Sequence, residues 1–173
     1  MKKIFALVLA LVMVLCAVSA LAGPSKQNEN IGGATTNEPE VTMTKVDDTE
    51  ETTAIKEKIQ EANENGNPLD GIPEDVRSQI PEGRTKINEM ETYILEGDDG
   101  TADQILLIFK FETPYEDGQA VTVLFGIAPA GAETIWLVKE GKGNADGDVE
   151  VLVTRDELNK ISNNPFVVIP VSE

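Results

Sequence analysis

Gln104-Ile105-Leu106-Leu107-Ile108-Phe109-Lys110-Phe111-Glu112 decides how the chain is read. Ile105, Leu107, Phe109 and Phe111 recur at every second residue, the period at which a strand returns its side chains to one face. The same alternation comes back as Val121, Val123, Phe125 and Ile127, and again as Val149, Val151 and Val153. Each set defines one buried face. Strands are predicted over residues 86–96, 104–112, 120–127, 135–140, 148–153 and 166–171. Gly97-Asp98-Asp99-Gly100, Tyr115-Glu116-Asp117-Gly118, Pro129-Ala130-Gly131 and the stretch 141–147 separate them, with turn residues at the spacing of antiparallel neighbours.

One helix interrupts the strands. Thr154-Arg155-Asp156-Glu157 has the form of a capping box, in which the threonine hydroxyl and the glutamate carboxylate each accept from the other residue's backbone amide. A helix over residues 155–162 follows, with Val153 placed to staple Leu158, and Asn163-Asn164-Pro165 ends it. Upstream, Ile55, Ile59 and Ala62 mark one thin face of a helix over 54–65, stopped by Asn65-Gly66-Asn67-Pro68. Pro73 opens a second short helix with Ile72, Val76 and Ile80 on one side.

Six strands with one short interstrand helix resemble, in architecture alone, an immunoglobulin-like or fibronectin-type sandwich. That resemblance implies a small antiparallel β-sandwich over residues 85–173, preceded by short helices and linker over 54–84. The Cys…Trp…Cys spacing of true immunoglobulin domains is absent, and six strands is one short of the usual seven.

The N-terminus reads as an export signal. Lys2 and Lys3 precede an apolar run from Ile4 to Ala22 that closes on Ala20-Leu21-Ala22, small residues where a signal peptidase requires them. Cleavage is expected after Ala22, which predicts a secreted or extracytoplasmic protein of bacterial type. The alternatives are an uncleaved membrane anchor and a lipid on Cys16, although Leu15 departs from the small residue expected before a lipidated cysteine. Residues 23–53 are rich in Asn, Gly, Thr, Pro and acids, and carry few apolar residues beyond Ile31, Val41, Met43 and Val46. They are expected to form a disordered acidic stalk, because such a segment buries too little to offset its ordering entropy.

Composition narrows the chemistry. The 173 residues hold 14 Lys or Arg against 31 Asp or Glu, a formal charge of −17 that becomes two units more negative without Lys2 and Lys3. A surface so acidic repels nucleic acid and anionic membranes, so neither is an expected partner of the mature form. The chain has no histidine, and its one cysteine lies in the leader. Histidine-dependent triads, thiol redox chemistry, His or Cys zinc sites and disulfides are thereby excluded from the mature chain, and no cofactor is expected.

Five constellations remain. Asn144-Ala145-Asp146-Gly147-Asp148-Val149-Glu150 puts oxygen ligands at alternate positions, as calcium requires, but Val149 stands where an EF-hand has its glycine and Arg155 where it has its closing glutamate. A hairpin turn is the simpler reading of these residues. Glu96, Asp98, Asp99 and Asp103 form a second acidic loop of the same kind. Trp136, Tyr93 and Tyr115 suggest a sugar-stacking platform, with Tyr115 the best placed for exposure and Trp136 better read as core. Paired carboxylates serve glycosidases without histidine, yet no pair stands out here. Gly141 and Gly143 lack the Lys-Ser/Thr of a phosphate loop and read as a turn. The functional expectation is an exported, non-catalytic module that binds a glycan, a peptide or another envelope component. A secreted hydrolase inhibitor presenting the loop 129–133 is the alternative, followed by a small carboxylate-dependent hydrolase.

Overall fold

A computed structural model describes residues 34–36, 41–97 and 103–173. Among them, nine strands form one continuous antiparallel sheet: β1 (Ala34–Thr36), β2 (Thr42–Lys45), β3 (Lys86–Ile87), β4 (Glu91–Glu96), β5 (Gln104–Phe109), β6 (Ala120–Ile127), β7 (Ile135–Gly143), β8 (Val149–Thr154) and β9 (Phe166–Ser172). Their order is β1-β5-β8-β7-β6-β9-β4-β2, with β3 paired to β9 beside β4. The sheet curls into a half-barrel and brings its edge strands β1 and β2 near each other. Helix α1 (Glu50–Glu64), a 3-10 turn (Pro68–Gly71) and the short α2 (Glu74–Arg77) follow β2, and α3 (Arg155–Ile161) joins β8 to β9.

Curling gives the sheet two unlike faces. The concave face collects the alternating residues predicted to be buried, Ile105, Leu107, Phe109, Val121, Val123, Phe125, Val149, Val151 and Val153 among them. Its centre is aromatic: Phe109 lies 5.5 Å from Tyr93 and 5.9 Å from Phe125 between ring centroids, and Phe166 lies 6.0 Å from Phe125. Pairs at these distances add to what burial alone contributes. The convex face is covered in one part. Ile55 and Ile59 of α1, with Leu69, Ile72 and Val76, pack on Leu124, Val167, Ile169 and Val171 to form a second core. β9 is consequently buried on both faces along its whole length.

The sheet has a seam between β7 and β8. These strands pair only at Gly141–Gly143, leaving the first part of β7 bonded to β6 alone and the end of β8 to β5 alone. Gly141 permits this approach, since a Cβ there would stand 2.9 Å from the Glu150 carbonyl oxygen. Helix α3 buries Leu158 and Ile161 in the concave core. Lys139 faces the same side, opposite Val123, and its Nζ donates to both Glu157 carboxylate oxygens at 2.9 Å.

Two expectations are corrected. The sheet is single and curled, so an immunoglobulin-like or fibronectin-like sandwich is not what forms; alternation identifies a strand's buried side but not its neighbours. The boundaries at residues 53 and 85 fall within one packed unit. Residues 34–36 and 42–45, read as stalk, form β1 and β2, and Val41 and Met43 are fully buried because β4 pairs with β2 and shares its core. The helix begins before residue 54, at a capping box of Thr49 and Thr52. The expected leader, residues 23–33 and 37–40 of the expected stalk, and Asp98 and Asp99 of the second acidic loop lie outside the described residues.

Candidate functional site

The place where α1 meets the convex face leaves a cleft of about 710 Å³, within the size range of small-ligand sites. Ile55 and Lys58 of α1, Asp70 of the 3-10 turn, Asp75 of α2, Glu133 of the β6–β7 connection and Trp136 of β7 line it. Two glycines shape it. Gly126 lies opposite Trp136 in the β6–β7 register, and a Cβ on Gly126 would sit 3.4 Å from indole carbons Cζ3 and Cη2 and 3.2 Å from Ile55 Cδ1. The ring therefore lies against bare strand backbone. Gly71 lies against α1, where a Cβ would approach the Lys58 carbonyl oxygen to 2.5 Å, so only glycine lets the turn close this side.

The opposite wall is the loop 129–133. Ala132 N–H donates to the Pro129 carbonyl at 3.2 Å, and Gly131 has φ 68°, a left-handed conformation natural to glycine. Gly131 N–H reaches Glu51 of α1 at 3.4 Å. Glu51 is held below the usual glutamate range by its own backbone amide, by Thr49 and by Gly131. Residues 130–133 remain exposed.

Charge in the cleft is unbalanced. Arg77 pairs with Asp70 from outside the lining, whereas neither Asp75 nor Glu133 belongs to an ion pair among the described residues. Lys58 is the only basic residue of the lining. A second hollow, of about 540 Å³, lies on the open side of β5, β7 and β8 between Leu106, Leu152, Glu140 and Glu150.

The aromatic platform expected of Trp136, Tyr93 and Tyr115 is not assembled. Tyr93 is fully buried on the concave face, its phenol raised by burial and then by Glu91 and Glu89. Tyr115, expected to be exposed, is 7 % exposed and stands edge-on to Phe111 at 5.9 Å; burial, with Glu89 nearby, pushes it up to about 12. Its backbone is drawn under the turn because Tyr115 N–H donates to the Gly147 carbonyl at 3.0 Å. Trp136 belongs to the other face and is half-buried at the edge of the second core.

The candidate calcium loop is a hairpin turn organised by Asn144. Its Oδ1 accepts from the amides of Asp146 at 3.0 Å and Asp148 at 2.9 Å, and its Nδ2 donates to Glu150 Oε1 at 3.3 Å. The ligand oxygen of Asn144 is thus engaged by backbone. Burial raises Asp148 above the usual aspartate range, with Asp146 and Glu150 adding to it against Lys110. Among the described residues no three His, Cys, Asp or Glu side chains converge on a metal position. No helix among them is long and apolar enough to cross a membrane.

The sequence pointed to Trp136 but not to the cleft. The cleft depends on α1 crossing β6 and β9, which no local pattern announces, although a glycine in a strand otherwise filled with large residues is a sign of close approach. Compared with protein-family models, curated proteins and solved structures, the chain matches none.

Proposed function

We propose that this chain is an exported, non-catalytic binding module whose ligand enters the cleft beside Trp136. The half-buried indole in a cleft of about 710 Å³ carries this reading, because an aromatic wall offers a ligand a large apolar contact that water does not satisfy. The absence of histidine and of cysteine beyond the leader supports binding over catalysis. A glycan, a peptide or another envelope component fits the same expectation. Export rests on the leader, with Gly23 as the first residue of the mature protein. N-terminal sequencing of native protein tests it, and recovery of intact Met1 or a lipid on Cys16 would contradict it.

Trp136 is the only tryptophan, so its emission reports on the cleft directly. Titration with a panel of glycans and peptides is expected to produce a saturable change for the class that binds. Trp136 emission unmoved by ligands that calorimetry shows to bind elsewhere would reject the cleft. The loop 129–133, exposed over 130–133 and held by the Gly131 N–H to Glu51 and the Ala132 N–H to the Pro129 carbonyl, favours the alternative of a hydrolase inhibitor. Inhibition across a protease and glycosidase panel, lost on altering Ala130 and Glu133, would decide for that alternative.

A further inference from the structure

We infer that the cleft takes an organic cation of the alkylammonium class, a small amine or polyamine, rather than a neutral sugar; this deepens the binding-module reading and rests on it. Indole is the side chain that attracts a cation most strongly through its ring face, and Trp136 forms part of the cleft wall. Around it stand Asp75 and Glu133 without ionic partners, Asp70 held by Arg77, and one base, Lys58. An alkylammonium ligand meets both features at once: its methylene groups cover the ring and its charge meets the carboxylates. A neutral sugar would stack on the ring but leave the two carboxylates without a counter-charge. The whole-chain charge of −17 acts in the same direction, by raising the local concentration of cations.

The opposed charges give a test of sign. Spermidine is titrated into the full chain, with binding read by Trp136 emission and by calorimetry, beside maltohexaose as a neutral ligand and magnesium chloride at matched ionic strength. Saturable binding of spermidine is expected, and Asp75→Asn and Glu133→Gln should each weaken it about threefold, as exposed charges do. Lys58→Gln should tighten it by about the same factor. A general loss of structure cannot produce changes of both signs, and unchanged thermal melts confirm that the variants fold. Maltohexaose binding with spermidine inert overturns the cation and leaves the binding module standing. A spermidine response equal to that of magnesium, or one that none of the three variants alters, overturns the assignment. If neither ligand binds, the cation assignment falls, and the panel of glycans and peptides then decides the broader reading separately.

Discussion

Strands β8 and β9 are nearly equal in length and belong to one sheet, yet they live in different surroundings. β9 reads Phe166-Val167-Val168-Ile169-Pro170-Val171-Ser172 and is buried at every residue, because the concave core lies on one side and α1 on the other. β8 reads Val149-Glu150-Val151-Leu152-Val153-Thr154 and alternates, with Leu152 51 % exposed. A continuous apolar run and a strict alternation thus report how many faces are covered, and the cover is the 15-residue helix α1 with the short turns that follow it. The cleft lies at the border of that coverage, where α1 and its following turns give way to the open part of the sheet.

The difference can be broken by substitution. Ile169→Ala, in the doubly buried strand, should cost about 3 kcal/mol by removing a side chain that has no exposed surface. Val151→Ala should cost about 2 kcal/mol through its concave side, whereas Leu152→Ala, the next residue, should stay within about 0.5 kcal/mol. Denaturant melts of the three variants measure this, and equal losses for Val151 and Leu152 would mean that β8 has no open face. Thr154→Ala should cost about 1 kcal/mol, since Thr154 Oγ1 accepts from the Glu157 amide at 3.3 Å while Glu157 Oε2 accepts from the Thr154 amide at 2.8 Å. Thr49→Ala, at the start of α1, should cost a similar amount.

The smallest effect concerns pH. Burial alone would raise Glu157, but the Thr154 amide, Lys139 and the Thr154 hydroxyl outweigh it and hold the carboxyl below its ordinary 4.5. A carboxylate whose value falls on folding stabilises the folded state fully above its unfolded value and loses that contribution as pH drops through the folded one. Acidification below about pH 4.5 should therefore destabilise the wild type more than Glu157→Gln. Melts from pH 6 to pH 3 check this, and identical slopes for the two proteins would remove the ion pair across the seam from the account.

How much of this was legible follows from the range of the interaction concerned. β6 occupies residues 120–127 as its alternation indicates, and the Thr154–Glu157 box was readable because both partners sit within four residues. β2 was not readable, since four residues with one buried methionine look like stalk until β4 pairs with them. The Thr49 box escaped notice because Thr52 takes the place where Glu or Gln is the usual sign. Lys139 resembles any exposed strand lysine; only the seam and α3 give it an inward partner. Of the candidate site, Trp136 was visible as a residue type, whereas Lys58, Asp70, Asp75 and Glu133 belong to four separate segments that meet only once α1 has crossed the sheet.

That crossing is the central claim, and it is tested most directly by nuclear Overhauser contacts from the Trp136 indole. The account predicts contacts to the Gly126 α-protons and the Ile55 δ-methyl, with both resonances shifted by the ring, because the Gly126 side of β6 brings the indole and Ile55 together. An indole in contact with Gly126 but not with Ile55, and an Ile55 methyl at its unstructured shift, would contradict it: α1 would not lie on the convex face, and neither the double burial of β9 nor the cleft would stand.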